Sequence, residues 1–217
     1  MAIVLLGPEW FNPINSVPEM ISLVISLIII GATYKAYKLT KDRKFFFFGL
    51  SFAFIALSFI SKIAAELIIR SEARESIMEA MRSAAVIDFG QIGFVLTTLL
   101  AYVALMMLVF KVHDKRLVSM FCVFTFLFAL FAYKEIVLLH ILSIIILGFI
   151  TSVFFENYNK KKHMASLFVF LSFLLQTIAH VFYIIANYNG RIDPLAEGIH
   201  MLGYLSLLIA IIYCFKK

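Results

Sequence analysis

Long apolar runs alternate with short polar breaks along the whole chain. A helix needs roughly 20 mainly apolar residues to cross the hydrocarbon core of a bilayer. Seven runs approach or exceed that length: 18–35, 45–69, 84–110, 117–132, 136–155, 164–186 and 198–215. The fourth is the shortest. The pattern predicts an all-α, polytopic integral membrane protein with seven transmembrane helices in a single membrane domain, 1–217.

Polar residues inside these runs are not scattered. The second run contains SFISKIAAE (58–66), and the sixth contains SFLLQTIAH (172–180). Residues four apart share a helix face. Ser58, Lys62 and Glu66 therefore form one stripe, and Ser172, Gln176 and His180 form another. Lys62 and Glu66 are also spaced to pair along their own helix. Ionisable groups at membrane depth are costly in lipid and face protein or water instead. Both stripes are thus expected to point into the bundle.

The two stretches match over Leu57-Ser58-Phe59 and Leu171-Ser172-Phe173, at an offset of 114 that pairs Glu66 with His180. SLIIIG (26–31) in the first run matches SIIILG (143–148) in the fifth at an offset of 117, and IGF (92–94) matches LGY (202–204) at 110. Three matches in the same order predict a duplication. Residues 18–111 form a first three-helix unit, 117–132 a linker helix, and 136–217 a second unit. An odd number of helices between the units gives both the same direction through the membrane, so the repeat is parallel.

The charges set the orientation. Lys35, Lys38, Lys41, Arg43 and Lys44 follow the first run, Lys111, Lys115 and Arg116 the third, Lys160, Lys161 and Lys162 the fifth, and Lys216 and Lys217 the last. Thirteen of the 19 basic residues thus lie on one side, against Arg70, Arg74, Arg82, Lys134 and Arg191 on the other. By the positive-inside rule the N-terminus is outside and the C-terminus cytoplasmic, in a cell membrane. The formal net charge of +6 belongs to these loops, and no nucleic-acid partner is expected. Composition agrees: 63% of residues are hydrophobic and 24 are phenylalanine, where soluble domains have about 45–50% apolar residues. Cys122 and Cys214 have no spacing partners for a disulfide framework or thiolate metal site. The N-terminal MAIVLLGPEWFNP lacks a basic n-region, so a cleavable signal peptide is not expected. Trp10 is expected at the outer interface. Residues 70–83 read as a short helical extension or solvated connector, and 187–198 as a turn-rich loop punctuated by Asn189-Gly190 and Asp193-Pro194.

The three-plus-one-plus-three layout resembles that of SWEET-type sugar carriers and, more distantly, microbial rhodopsins. The first helix of each unit lacks the Pro-Gln motif of the former, and the seventh lacks the mid-helix retinal lysine of the latter. With YKLTKDRK (37–44) after its first helix, the chain as a whole resembles uncharacterised prokaryotic seven-helix membrane proteins.

By depth, His140, Asp88, Gln91, His200 and Tyr204 fall near Glu66 and His180, in the outer third of the membrane. The expected ligand-binding set is Lys62, Glu66, Asp88, Gln91, Gln176, His180, His200 and Tyr204, lining an outward-facing cavity for a small solute or ion. His180 is its natural proton-linked switch, because an unperturbed histidine titrates near pH 6.5. Structural alternatives stand beside this: Asp88 as a helix cap, Gln176 and Thr177 as interhelical glue, and His113 and His163 as solvated loop residues. His140, His180 and His200 form an alternative zinc set, or two of them haem ligands. Seven-helix zinc hydrolases of the ceramidase and progestin-receptor-like class resemble this, although their HxxxH pattern gives way here to His200 and Tyr204. No nucleophile motif, phosphate loop or cofactor fingerprint points to an enzyme. Transport or solute binding is the leading expectation. A sensor or accessory subunit, working with a partner membrane protein or as a homo-oligomer in the lipid bilayer, is the alternative.

Overall fold

The computed structural model describes residues 16–72, 77–111 and 114–215; for Ser16, 66–72, 77–87, Lys115 and Phe215 it describes the backbone alone. Trp10, His113 and the side chain of Glu66 lie outside it. Among the described residues there are seven α-helices and no strand: α1 (Ser16–Thr40), α2 (Arg43–Glu72), α3 (Ile77–Phe110), α4 (Lys115–Ala132), α5 (Ile136–Lys161), α6 (Met164–Ala186) and α7 (Asp193–Phe215). Six are long and apolar enough to cross a membrane. The seventh, α4, is a shorter apolar helix of 18 residues, or about 27 Å at 1.5 Å per residue.

Several helices outrun the apolar windows that predict them. Backbone hydrogen bonding continues past the hydrocarbon boundary, where polar side chains support it. The last turn of α5 carries the Glu156–Lys160 pair, four residues apart and 2.6 Å between charged atoms. The connections on the basic side are short. Asp42 Oδ1 accepts the Lys44 amide at 2.9 Å, Asp114 Oδ1 accepts the Arg116 amide at 2.8 Å, and His163 Nδ1 accepts the Ala165 amide at 3.3 Å. These side chains cap the starts of α2, α4 and α6 and satisfy amides that have no partner in the first turn. The helices before them end in lysines of left-handed backbone: Lys41, Lys111 and Lys162, with φ of 57°, 52° and 46°. Each terminates its helix and leaves a cation beside the carbonyl end.

Six helices form a closed ring. α1 packs on α2, α2 on α3, α3 on α5, α5 on α6, α6 on α7, and α7 back on α1. α4 lies outside the ring, against α3 and α5. The core reflects this. Ile29, Phe52, Leu105, Leu147, Phe173 and Leu207, one from each ring helix, belong to one buried cluster. A smaller cluster seats Ala129 and Ala132 of α4 on Val95 and Leu99 of α3 and Leu139 of α5. Several buried hydroxyls bond back along their own helices: Ser26 Oγ donates to the Ser22 carbonyl at 2.8 Å, and Ser143 Oγ to the Leu139 carbonyl at 2.7 Å. Large apolar side chains cover the outside, including Phe124, Phe131, Phe149 and Leu27. An apolar surface of that extent suits lipid and not water. The chain is a multi-pass membrane protein.

Glycines, Gly203 and Gly93 among them, set how closely helices approach. A Cβ on Gly203 of α7 would lie 3.1 Å from the Ser172 carbonyl oxygen and 2.9 Å from Gln176 Cγ on α6. A Cβ on Gly93 of α3 would lie 3.2 Å from Ser61 Oγ on α2.

Candidate functional site

One cavity, with a volume of about 130 Å³, opens among the ring helices at the end opposite the basic turns. By the usual space requirement this holds on the order of ten waters, or one small organic molecule. The starts of α1, α5 and α7, the end of α6 and the middle stretches of α2 and α3 meet there. α1 contributes Glu19 from its first turn, just after Pro18, and α2 contributes Lys62. α5 contributes His140, α6 His180 and Tyr183, and α7 Asp193, Glu197, His200 and Tyr204.

At the centre is a three-membered ion cluster. Lys62 Nζ forms a direct salt bridge with Glu19 Oε1 and stands 3.8 Å from Glu197 Oε1. The two carboxylate side chains are only 7% and 3% exposed. Asp193 lies near enough to act on the same ammonium electrostatically. Lys62 also stands over the ring of Phe94, 5.9 Å from its centroid, within range of a cation–π attraction. Glu197, His200 and Tyr204 share one face of α7, spaced three and four residues apart, and Tyr204 packs against Phe59 of α2.

Beside the cluster runs a hydrogen-bonded chain. Tyr102 Oη lies 2.9 Å from His180 Nε2, and His180 Nδ1 lies 2.9 Å from His140 Nδ1. A neutral imidazole has one N–H and one lone pair. The chain is therefore satisfied when Tyr102 donates to His180 and His180 to His140, and equally when His140 donates to His180 and His180 to Tyr102. His140 is stacked on Tyr183 with ring centroids 5.0 Å apart. His200 lies against His180 at 5.8 Å, and its buried Nε2 has no hydrogen-bond partner among the described residues.

Of the residues expected from the sequence, Lys62, Gln91, His140, His180, His200 and Tyr204 line this cavity. Gln176 lies deeper, fully buried, with Nε2 donating to Ser172 Oγ at 3.3 Å. Asp88 is exposed and does not line it. The side chain of Glu66 lies outside the described residues; among those described, the ion-pair partners of Lys62 come from α1 and α7. The expectation of His140, His180 and His200 as a zinc set finds no support here. Both His180 nitrogens are engaged, by Tyr102 and by His140. Among the described residues no group of three or more His, Cys, Asp or Glu side chains is arranged to hold a metal ion.

Glu19, Glu197, Asp193, Tyr102 and Tyr183 are the site residues that sequence reasoning missed. Two had a signal. Asp193-Pro194 is a helix start, with proline in the first turn, and reading it as loop punctuation placed Glu197 outside the helix. Glu19 is an acidic residue in the first turn of α1, a position that helix electrostatics alone would explain.

No protein-family model, curated protein or solved structure matches this chain. The class that fold and site define is a multi-pass helical membrane protein with a charged cavity within its bundle.

Proposed function

We propose that the protein binds a small solute in this cavity and carries it across a cell membrane, with the cavity opening outward, the N-terminus outside and the C-terminus in the cytoplasm. The observation that carries the reading is the Glu19–Lys62–Glu197 cluster. Three ionisable side chains from three helices converge in a cavity at membrane depth. Replacing such a buried cluster by apolar residues is often neutral or stabilising, so packing alone gives no reason for it. The outward orientation rests on the basic turns, which lie at the opposite end of the bundle.

The mechanism follows from a division of the ring into two parallel units, α1–α3 and α5–α7, with α4 as linker. Corresponding positions behave alike, which supports the duplication. Ser26 and Ser143 are both fully buried and bond back along their helices. Phe59 and Phe173 are both buried, and Phe94 and Tyr204 both line the cavity. Gly93 seats α3 on α2 as Gly203 seats α7 on α6. The units meet at two seams, α1 with α7 and α3 with α5. Lys62 and Glu19 belong to the same unit, whereas Glu197 belongs to the other. Rocking of one unit against the other keeps the first pair and breaks the second, so the longer contact is the one that opens.

Hydroxyl-radical footprinting of the full chain in nanodiscs tests the hydrated cavity. Tyr183 and His200, partly buried but lining the cavity, are expected to be modified more than Phe124 and Phe131, which are 62% and 72% exposed on α4 but face lipid. Protection of Tyr183 and His200 to the level of Phe131 would contradict the proposal.

A further inference from the structure

We propose that the solute is a small uncharged molecule, a single apolar ring carrying a neutral hydrogen-bonding group such as a hydroxyl, held deeper than the ion cluster against Thr98 of α3 and His200 of α7. This rests on the reading of the cavity as a solute site.

Thr98 is the first observation. A threonine inside a helix can donate its hydroxyl to the carbonyl one turn earlier. Thr33, Thr97 and Thr125 do so, to Ile29, Gly93 and Phe121, at 2.6–2.8 Å. Thr98 does not. It is only 6% exposed and lines the cavity, yet its hydroxyl has no hydrogen-bond partner among the described residues. His200 Nε2 is in the same state on α7, which stands opposite α3 in the ring. A buried polar atom without a partner costs free energy, and a bound solute that supplies the partner recovers it. A hydroxyl both donates and accepts, so it suits the threonine and either tautomer of the imidazole.

The walls set the rest of the molecule. The ion cluster lies at the level of Phe94, where Lys62 stands 5.9 Å from the ring centroid. Thr98 is one turn deeper along α3 and Tyr102 two turns, about 6 and 12 Å. At that depth Ile55, Ser58 and Phe59 of α2 and Tyr204 of α7 also line the cavity. Among the described residues, this deeper lining holds no carboxylate or ammonium. An ion there would lose its hydration without gaining an opposite charge. The rings of Phe59, Tyr102 and Tyr204, by contrast, bury apolar carbon and pack on another ring. The size agrees: an apolar cavity of about 150 Å³ takes benzene, and this one measures about 130 Å³.

The charged groups nearer the mouth are already engaged. Lys62 holds Glu19 and Glu197, Asp193 acts on the same ammonium, and all three carboxylates are engaged further. The cluster thus closes over the solute instead of binding it. Its longer contact, from Lys62 to Glu197, is the one whose opening admits the solute.

The test uses the full chain in nanodiscs and fluorine NMR of para-fluorobenzyl alcohol. Empty nanodiscs of the same lipid subtract what partitions into the bilayer. A single saturable site is expected. Unlabelled benzyl alcohol is expected to displace the probe, toluene to displace it roughly fivefold less well for want of one hydrogen bond, and benzylammonium and benzoate not to displace it. Thr98→Val keeps the shape and removes the hydroxyl, and is expected to weaken probe binding by a similar factor. If Thr98→Val does not fold, the wild-type displacement series decides. Toluene competing as well as the alcohol would overturn the hydrogen-bonding group. Benzylammonium or benzoate competing as well would overturn the uncharged class while leaving a solute site in place. Binding unchanged in Thr98→Val would place the probe elsewhere and equally overturn the assignment. No saturable binding would overturn it too, and the footprinting at Tyr183 and His200 then decides separately whether the cavity is a solute site at all.

Discussion

Lys62 of α2 and Glu197 of α7 face each other across the cavity, with Nζ and Oε1 3.8 Å apart; their backbones are not neighbours in the ring, and α2 meets α7 through side chains, Phe52 and Phe59 against Tyr204. The ring helices between them, α1 and α3 among others, hold the gap open. An ion pair spanning a gap is sensitive to any relative movement of the two sides.

Removing the lysine takes the cation from between two carboxylates whose side chains are mostly buried. Lys62→Met is therefore expected to lower stability, by up to about 3 kcal/mol given that the side chain is partly exposed. The triple replacement Lys62→Met, Glu19→Gln and Glu197→Gln is expected to recover much of that loss. Thermal melting of the variants in one detergent or nanodisc preparation checks this. A triple variant no more stable than Lys62→Met would show that the charges are not coupled.

Gly203 is expected to be intolerant and Gly31 tolerant. Gly203→Ala places a methyl against the Ser172 carbonyl and the buried Gln176 stem, and separating α6 from α7 costs about 1–3 kcal/mol as overpacking. Gly31 has nothing within 4 Å of an added Cβ, so Gly31→Ala is expected to stabilise by roughly 0.5–1 kcal/mol through helix propensity. Comparison of the two melting temperatures checks both signs.

Tyr102→Phe removes the hydroxyl from His180 Nε2 and strands one end of the imidazole chain. A loss of about 1–2 kcal/mol is expected for the unmet hydrogen bond. Nitrogen NMR of labelled imidazoles is expected to show a changed tautomer balance at both His180 and His140, because the two share Nδ1 contact. A change at His180 alone would argue against a coupled chain.

Lys162 ends α5 in the left-handed region, with φ of 46°. Such a conformation costs a residue with a Cβ roughly 1–2 kcal/mol and glycine almost nothing. Lys162→Gly is expected to leave the melting temperature unchanged or slightly raised. A marked fall would mean that the cation at this turn matters more than its backbone.

Seven helices were legible in the sequence because each carries its own apolar run, and the limits of α6 coincide with its run (164–186). The polar stripes of α2 and α6 were legible for the same local reason: a four-residue spacing is visible without a neighbour. Pairing was not. The Glu66 side chain, four residues from Lys62, lies outside the described residues; among those described, the partners of Lys62 come from positions 19 and 197, which only the closing of the ring brings together. Hydrocarbon depth gathered the histidines by height but could not show that His140 and His180 share a hydrogen bond. The same argument by depth included Asp88, which is exposed and does not line the cavity.

The central claim is a water-filled cavity open to the outside, and sided labelling tests it most directly. Thr98 lines the cavity, and its buried hydroxyl oxygen has no hydrogen-bond partner among the described residues. With Cys122 and Cys214 replaced by alanine, Thr98→Cys is treated with a small membrane-impermeant thiol reagent in intact cells and in inverted vesicles. Cysteines at the exposed residues Asn189 and Asn159 report on the cavity end and the basic end of the bundle. The account predicts rapid labelling of positions 98 and 189 in intact cells, and of position 159 only in inverted vesicles. Labelling of position 98 from the cytoplasmic side alone, or from neither side, would contradict it.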